Sequence, residues 1–201
     1  EKAVKGSLYK KYDDFDELCN VTADLLADNK IVGWFQNRSE FGPRALGSRS
    51  ILMNPKPKKN KDIVNSRIKH REEWRPFAGI MLEEYQEDYF TETYPNEYML
   101  YSLVVRPHQR RKLGAITHRD FSCRIQTVNK KLHPEVTTLL QKYNEITDTP
   151  VLLNTSFNMA GKPILNTYKD ALWMLDNKDI SGLVLEDYYI PVSYTHLTLP
   201  T

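Results

Sequence analysis

Ile31-Val-Gly-Trp-Phe-Gln-Asn-Arg-Ser-Glu-Phe-Gly-Pro-Arg-Ala-Leu-Gly-Ser-Arg-Ser-Ile51 contains the change of pattern from which the fold follows. Ile31 to Phe35 is a short apolar run of the kind that makes a buried strand. It opens at once into a polar loop punctuated by Gly42, Pro43 and Gly47 and carrying Arg38, Arg44 and Arg49. Gly and Pro fix turns and let backbone approach a ligand closely. Arginine presents a planar, permanently charged fork that suits phosphate and carboxylate oxygens. Glu40, among them, can hold one fork in place or meet a ligand hydroxyl. Arg44 and Arg49 are flanked by apolar Phe41, Leu46 and Ile51, which sets charge beside buried structure, where an unpaired charge is costly. An anion site is favoured over a solvated turn.

Before this stretch, Asp13 and Asp14 begin a predicted helix with Phe15, Leu18, Thr22, Leu25 and Leu26 on one side, and Asn29-Lys30 ends it. Residues 1 to 12, rich in Lys and Tyr, read as a linker or entering arm. Helix, strand and Gly-punctuated loop in that order suit an α/β domain with a site at the strand's end. After it, Ile51 to Met53 reads as a strand stopped by Asn54-Pro-Lys-Pro57. Lys58 to Glu73 reads as a helix with Ile63, Val64 and Ile68 on its apolar side. Lys69 lies two residues from both Arg67 and Arg71, so it points away from them. Arg75 is held between Trp74, Pro76 and Phe77.

Strands are expected over Phe77 to Leu82, Tyr98 to Val105, Arg124 to Val128, Val151 to Leu153 and Gly182 to Ile190, with a short helix from Glu83 to Phe90. Arg124, Gln126 and Val128 share one strand face, which therefore carries a cation and an amide. His118 alone is a weak signal. Pro134 with Val136, Leu139, Leu140, Tyr143 and Ile146 marks an amphipathic helix. Val151 to Leu153 runs into Asn154-Thr-Ser-Phe-Asn-Met-Ala-Gly161, a set of small hydroxyl and amide side chains closed by glycine, suited to cradling phosphate oxygens. Thr167 with Asp170 reads as a capping box. Arg106 to Lys112 is the densest positive cluster, and a solvated loop is favoured there over a phosphate or RNA contact. Residues 193–201 look like a translated cloning adapter, and the fold is expected to end near Ile190.

The 201 residues suffice for one domain of good core size, and 40% hydrophobic with 27% charged residues is ordinary for a globular chain. With 28 basic and 26 acidic residues the net charge is +2, too balanced to predict nucleic-acid binding. Cys19 and Cys123 have no CxxC partner, no zinc-ligand spacing and no disulfide pattern, which fits a reducing, cytoplasmic setting. No apolar run approaches the roughly 20 residues of a membrane span. The chain opens on Glu1 rather than methionine, so a piece of a longer protein is expected.

VGWFQNRSEFGPRALGSRSIL, VNSRIKHREEWRPFAG, THRDFSCRIQTV and PVLLNTSFNMAGKPI, in this order, resemble the C-terminal domain of the O-carbamoyltransferases that modify antibiotics and nodulation factors. The resemblance covers roughly residues 30 to 190 and departs modestly, at Asn37, Ser48 and Gly79. It implies a YrdC-like fold over residues 31–190, a twisted α/β sheet of mixed strand direction with flanking helices. It implies formation of carbamoyl adenylate from carbamoyl phosphate and ATP, with Mg²⁺ as charge partner. Transfer to a hydroxyl of a sugar or natural product would need a larger N-terminal domain, which would hold any transition metal; no metal ligand is assigned in this chain. It places the catalytic task on Arg44, Lys69, Arg75, Arg124 and Ser156. Arg38, Glu40, Arg49, Arg71, His118, Asn154, Thr155 and Asn158 are the candidates for binding substrate and nucleotide. The competing readings are a threonylcarbamoyl-adenylate synthase and a non-catalytic RNA-binding module.

Overall fold

In a computed structural model of the chain, residues 8–192 are described. The adapter-like stretch 193–201 and the first part of the entering arm lie outside them. The described strands are β1 (Lys10–Lys11), β2 (Val32–Phe35), β3 (Arg49–Met53), β4 (Ala78–Leu82), β5 (Ser102–Val104), β6 (Ser122–Val128), β7 (Val151–Ser156), β8 (Gly182–Leu185) and β9 (Tyr188–Pro191). They form one sheet in the order β1-β9-β8-β2-β3-β7-β4-β6-β5. The pairs β2–β8 and β4–β6 run parallel and the rest antiparallel, so the sheet is mixed, as expected.

Alternation along the strands divides the interior in two. Val32 and Trp34 of β2, Ile80 and Leu82 of β4 and Leu152 of β7 face α1 (Phe15–Ala27) and α4 (Pro134–Thr147). Ile51 and Met53 of β3, Met81 of β4, and Val151 and Leu153 of β7 face the other way. There they meet α5 (Tyr168–Asn177) and the turn that follows the short helix α2 (Lys59–Ile63), while the single-turn helix α3 (Gln86–Tyr89) follows β4. Each fully buried aliphatic side chain contributes about 1.5–3 kcal/mol, so both layers are needed to offset chain entropy. Asp14 caps α1 by accepting from the Asp16 N–H at 2.9 Å, and Pro134 opens α4. Cys19 and Cys123 lie on opposite faces, and burial pushes each thiol up to about 12, so neither is a nucleophile at neutral pH.

Four local expectations need correction. The single strand expected from Gly182 to Ile190 is instead a hairpin of β8 and β9, turned at Glu186 with φ 50°. The strand expected from Tyr98 shrinks to Ser102–Val104 because the Asn96 side chain replaces a ladder. Its Oδ1 accepts from the Leu100 and Tyr101 N–H groups at 2.8 and 3.2 Å, its Nδ2 donates to the Tyr101 and Ile125 carbonyls, and Met99 turns left-handed at φ 56°. The helix expected from Lys58 to Glu73 is α-helical only to Ile63. Val64–Lys69 then widens into a π-turn, closed by His70 at φ 45°, a feature often found at functional sites. The widened turn buries Ile68 and Lys69 side by side. The cluster from Arg106 to Lys112 is not simply solvated. Arg106 donates to the Glu87 carbonyl, Arg110 donates to Val105 and lies 3.7 Å from the Phe121 ring centroid, and Lys112 pairs with Asp148 at 2.7 Å. These cations close turns of the chain.

Gly79, in the middle of the sheet, is closely packed: a Cβ would lie 2.5 Å from Ile125 Cδ1 and 2.7 Å from Ile116 Cδ1, so both side-chain ends would have to move. Overpacking of this kind typically costs about 1–3 kcal/mol. Gly79→Ala should lower unfolding stability by that amount in a denaturant titration.

Candidate active site

Register brings the chemistry to one end of the sheet. Ser50 pairs with Ser156, Ala78 with Asn154, and Gly79 with Ile125, so the start of β4, the end of β7 and Arg124 of β6 share an edge. The loop 37–48, the segment 74–77 and the turn 157–161 project from the same end. Between them lie two adjoining cavities, of about 110 and 230 Å³. Arg44, Phe77, Met99, Arg124 and Asn154 line the first, and Lys69, Arg75, Asn158 and Gly161 the second. Arg71, Thr155 and Ser156 border both.

Lys69 is delivered by the π-turn and is only 5% exposed. Its Nζ donates to the Ser156 carbonyl at 2.5 Å and to Asn158 Oδ1 at 2.7 Å, with Ser156 Oγ and Asn158 O at 3.4 Å. Ser156 Oγ in turn donates to Asn158 Oδ1 at 2.7 Å. Among the described residues no carboxylate pairs with the ammonium. Burial first, and the Arg71 guanidinium second, pull its pKa down from 10.5 to about 7. Arg71 is itself positioned, donating from Nε to Asn65 Oδ1 at 2.6 Å and lying 4.7 Å from the Phe77 ring centroid. Arg124 is half-buried, with Nε unpartnered, and its pKa is lowered by burial and by the nearby positive charge of Arg44. Among the described residues, Arg44, Lys69, Arg71 and Arg124 form no salt bridge; Arg75 pairs with Glu72 at 2.9 Å on the surface. Cations gathered without counter-charge destabilise the empty fold and stabilise a bound polyanion.

The loop that carries Arg44 is held from several sides. The Glu40 carboxylate accepts from the Leu46, Ser48 and Arg49 N–H groups at 2.7, 2.9 and 3.1 Å. Arg49, 2% exposed and 3.4 Å from the Phe35 ring centroid, donates to the Gln36, Asn37 and Ser48 carbonyls. Trp34 Nε1 donates to the Gly47 carbonyl at 2.9 Å. Gly47 has φ 104°, and a Cβ there would sit 2.9 Å from Val136, so only glycine suits the turn. Glu40 and Arg49 thus fasten the loop and line neither cavity. Glu40→Ala leaves the three N–H groups without acceptors. It should cost about 1–3 kcal/mol and hasten proteolytic cleavage between residues 37 and 48.

Arg38 is exposed and lines neither cavity. Phe41, expected beside buried structure, is fully exposed. His118 lines a separate groove of about 1060 Å³ with Trp74 and Phe121, and its Nδ1 lies 3.1 Å from Ser122 Oγ. Sequence reasoning overlooked Phe77 and Met99 as cavity walls. An aromatic residue six positions after Arg71 was a usable hint for Phe77, whereas Met99 depends on the turn that Asn96 builds.

A mixed sheet that gathers Arg44, Lys69, Arg71 and Arg124 at one end, with no salt bridge to them among the described residues, is chemically suited to anions. The chain belongs to the family described as carbamoyltransferase C-terminus, whose pattern matches residues 23–191. It is 41% identical to nodulation protein NolO of Bradyrhizobium diazoefficiens over 180 residues, which is 87% of this chain and 32% of that protein. It is 40% identical to nodulation protein NolNO of Sinorhizobium fredii over 87% of this chain and 26% of that protein. The chain therefore spans about a third or less of these curated relatives. A crystal structure of full-length HypF in the phosphate- and nucleotide-bound form is similar in fold, with a TM-score of 0.56 at 17% identity over 89% of this chain and 22% of that one. Among the described residues, no helix is long and apolar enough to cross a membrane.

Proposed function

We propose that this domain makes carbamoyl adenylate from carbamoyl phosphate and ATP, as the C-terminal part of an O-carbamoyltransferase. Water cleaves carbamoyl phosphate to carbamate and phosphate. A carbamate oxygen then attacks the α-phosphorus of ATP, the bond to the β-phosphate oxygen breaks, and pyrophosphate leaves. Both substrates are polyanions, and bringing them together requires fixed cations that cost little reorganisation. Buried Lys69, half-buried Arg124 and Arg71, which borders both cavities, meet that need; Arg44, exposed at the first cavity, and Arg75, exposed at the second and paired with Glu72, add charge at the rim. Ser156, bordering both cavities, is placed to hydrogen-bond the group that passes from one to the other.

The single observation that carries this reading is the buried Lys69 facing acceptors only, beside Arg71, which forms no salt bridge among the described residues. The cavity linings contain no carboxylate, and no cluster of metal-ligating side chains occurs among the described residues. The lining thus does not fit a resident Mg²⁺, and magnesium enters with its nucleotide. The hydroxyl acceptor and its transfer step belong to the remainder of the longer protein, as would a transition metal.

ATP–pyrophosphate exchange tests the proposal. Exchange should require carbamoyl phosphate; exchange supported by threonine with bicarbonate instead would assign the domain to threonylcarbamoyl adenylate. The second alternative, RNA binding, rested on Arg106 to Lys112, and the engagement of Arg106, Arg110 and Lys112 within the fold counts against it.

A further inference from the structure

Gln126 is fully buried on β6, two residues beyond Arg124 and outside both cavity linings. Its Nε2 donates to the Leu46 carbonyl at 2.8 Å, and its Oε1 accepts from Asn154 Nδ2 at 3.4 Å. Asn154 Nδ2 also donates to the Ala45 carbonyl at 3.1 Å. Both loop carbonyls can only accept, which removes the usual ambiguity of amide orientation. Leu46 O demands the nitrogen of Gln126, which turns the Gln126 oxygen toward Asn154. That oxygen and Ala45 O both demand the nitrogen of Asn154. The remaining atom, Asn154 Oδ1, is buried without a partner in a side chain only 2% exposed that lines the first cavity. A reversed amide would set oxygen against oxygen at both contacts.

We propose that Gln126 acts as a positioning residue that presents Asn154 Oδ1 as an acceptor for the amide N–H of the carbamoyl group, and that this pair selects carbamoyl phosphate over acyl phosphates. The inference rests on the reading of the cavity as a carbamoyl phosphate site. A carbamoyl group offers N–H donors where an acetyl group offers a methyl, and an acceptor left unpaired in a buried site rejects the methyl. One such hydrogen bond corresponds to about tenfold or more in affinity. The loop carrying Arg44 thereby sets selectivity as well as charge, because Ala45 and Leu46 supply the two carbonyls.

Titration calorimetry of the protein with carbamoyl phosphate and with acetyl phosphate tests this. The wild type should bind carbamoyl phosphate about tenfold or more tightly than acetyl phosphate. Gln126→Leu should bring the ratio close to one while leaving acetyl phosphate affinity nearly unchanged; a merely structural defect weakens both ligands together. Asn154→Leu should give the same ratio, and adding Gln126→Leu to it should change nothing further. Equal affinities in the wild type, absence of carbamoyl phosphate binding, or an undiminished ratio in Gln126→Leu would overturn the inference. The wild-type ratio decides even if the variants fail to fold. Selective binding that depends on Gln126, in a protein without ATP–pyrophosphate exchange, would support this inference while ending the adenylation proposal.

Discussion

Arg124→Met should sharply reduce carbamoyl-phosphate-dependent exchange and at the same time make the protein harder to unfold. The two outcomes share one cause. Arg124 Nε is buried without a partner, and its guanidinium is disfavoured by burial and then by the charge of Arg44. The empty protein should therefore carry a cost that a bound anion relieves. Methionine fills similar space without charge, and removing such a burden commonly yields about 0.5–2 kcal/mol. Loss of one fixed donor at a site of developing charge lowers turnover by roughly 10²–10³-fold. Denaturant titration and exchange kinetics on the same preparation check both. Normal exchange in the variant would remove Arg124 from the chemistry, and a loss of stability would show that its charge is compensated in solution.

Lys69→Met should reduce exchange by a comparable factor, roughly 10²–10³-fold, and should also erase a pH dependence. Burial lowers the folded-state pKa of Lys69 from 10.5 to about 7. Between those values the unfolded chain holds a proton that the empty native protein has released. Stability contributed by this residue should therefore rise with pH across that window and level off above it. Anion binding runs the other way, because the ammonium attracts the ligand and the amine does not. Affinity for carbamoyl phosphate should fall as pH climbs through about 7, and calorimetry at several pH values would show it. In Lys69→Met both slopes should flatten. A carbamoyl phosphate affinity that follows the same pH curve with and without Lys69 would mean that another group titrates.

Elements with a strong local cause were legible in the sequence. Pro134 and the apolar spacing located α4 to the residue at its start, and Thr167 with Asp170 forms the expected capping box. The apolar runs at Ile31 and Val151 are strands, and the latter leads into the turn that holds Ser156 and Asn158. Features decided by side chains reaching across the fold were not legible. Asn96 truncates a strand that β-propensity favours, because one amide satisfies four backbone groups more locally than a ladder can. The π-turn at Val64–Lys69 has no local sequence signature, yet it is what turns Lys69 inward. Glu40 and Arg49 looked like ligand contacts since charge in a Gly-rich loop suits either purpose. Only their bonds to the loop's own backbone distinguish fastening from binding. The order of the strands, which decides whether Arg44 and Arg124 can meet, is a property of long-range pairing that no short window contains.

The pairing of β1 with β9 makes neighbours of Lys10 and Tyr189, and of Lys11 and Tyr188, so the described chain begins and finishes along a single margin of the sheet. That arrangement allows a rewired connectivity: a short peptide joining these two strands, with new termini opened in an exposed turn elsewhere, should leave the groups at the cation-rich end in place.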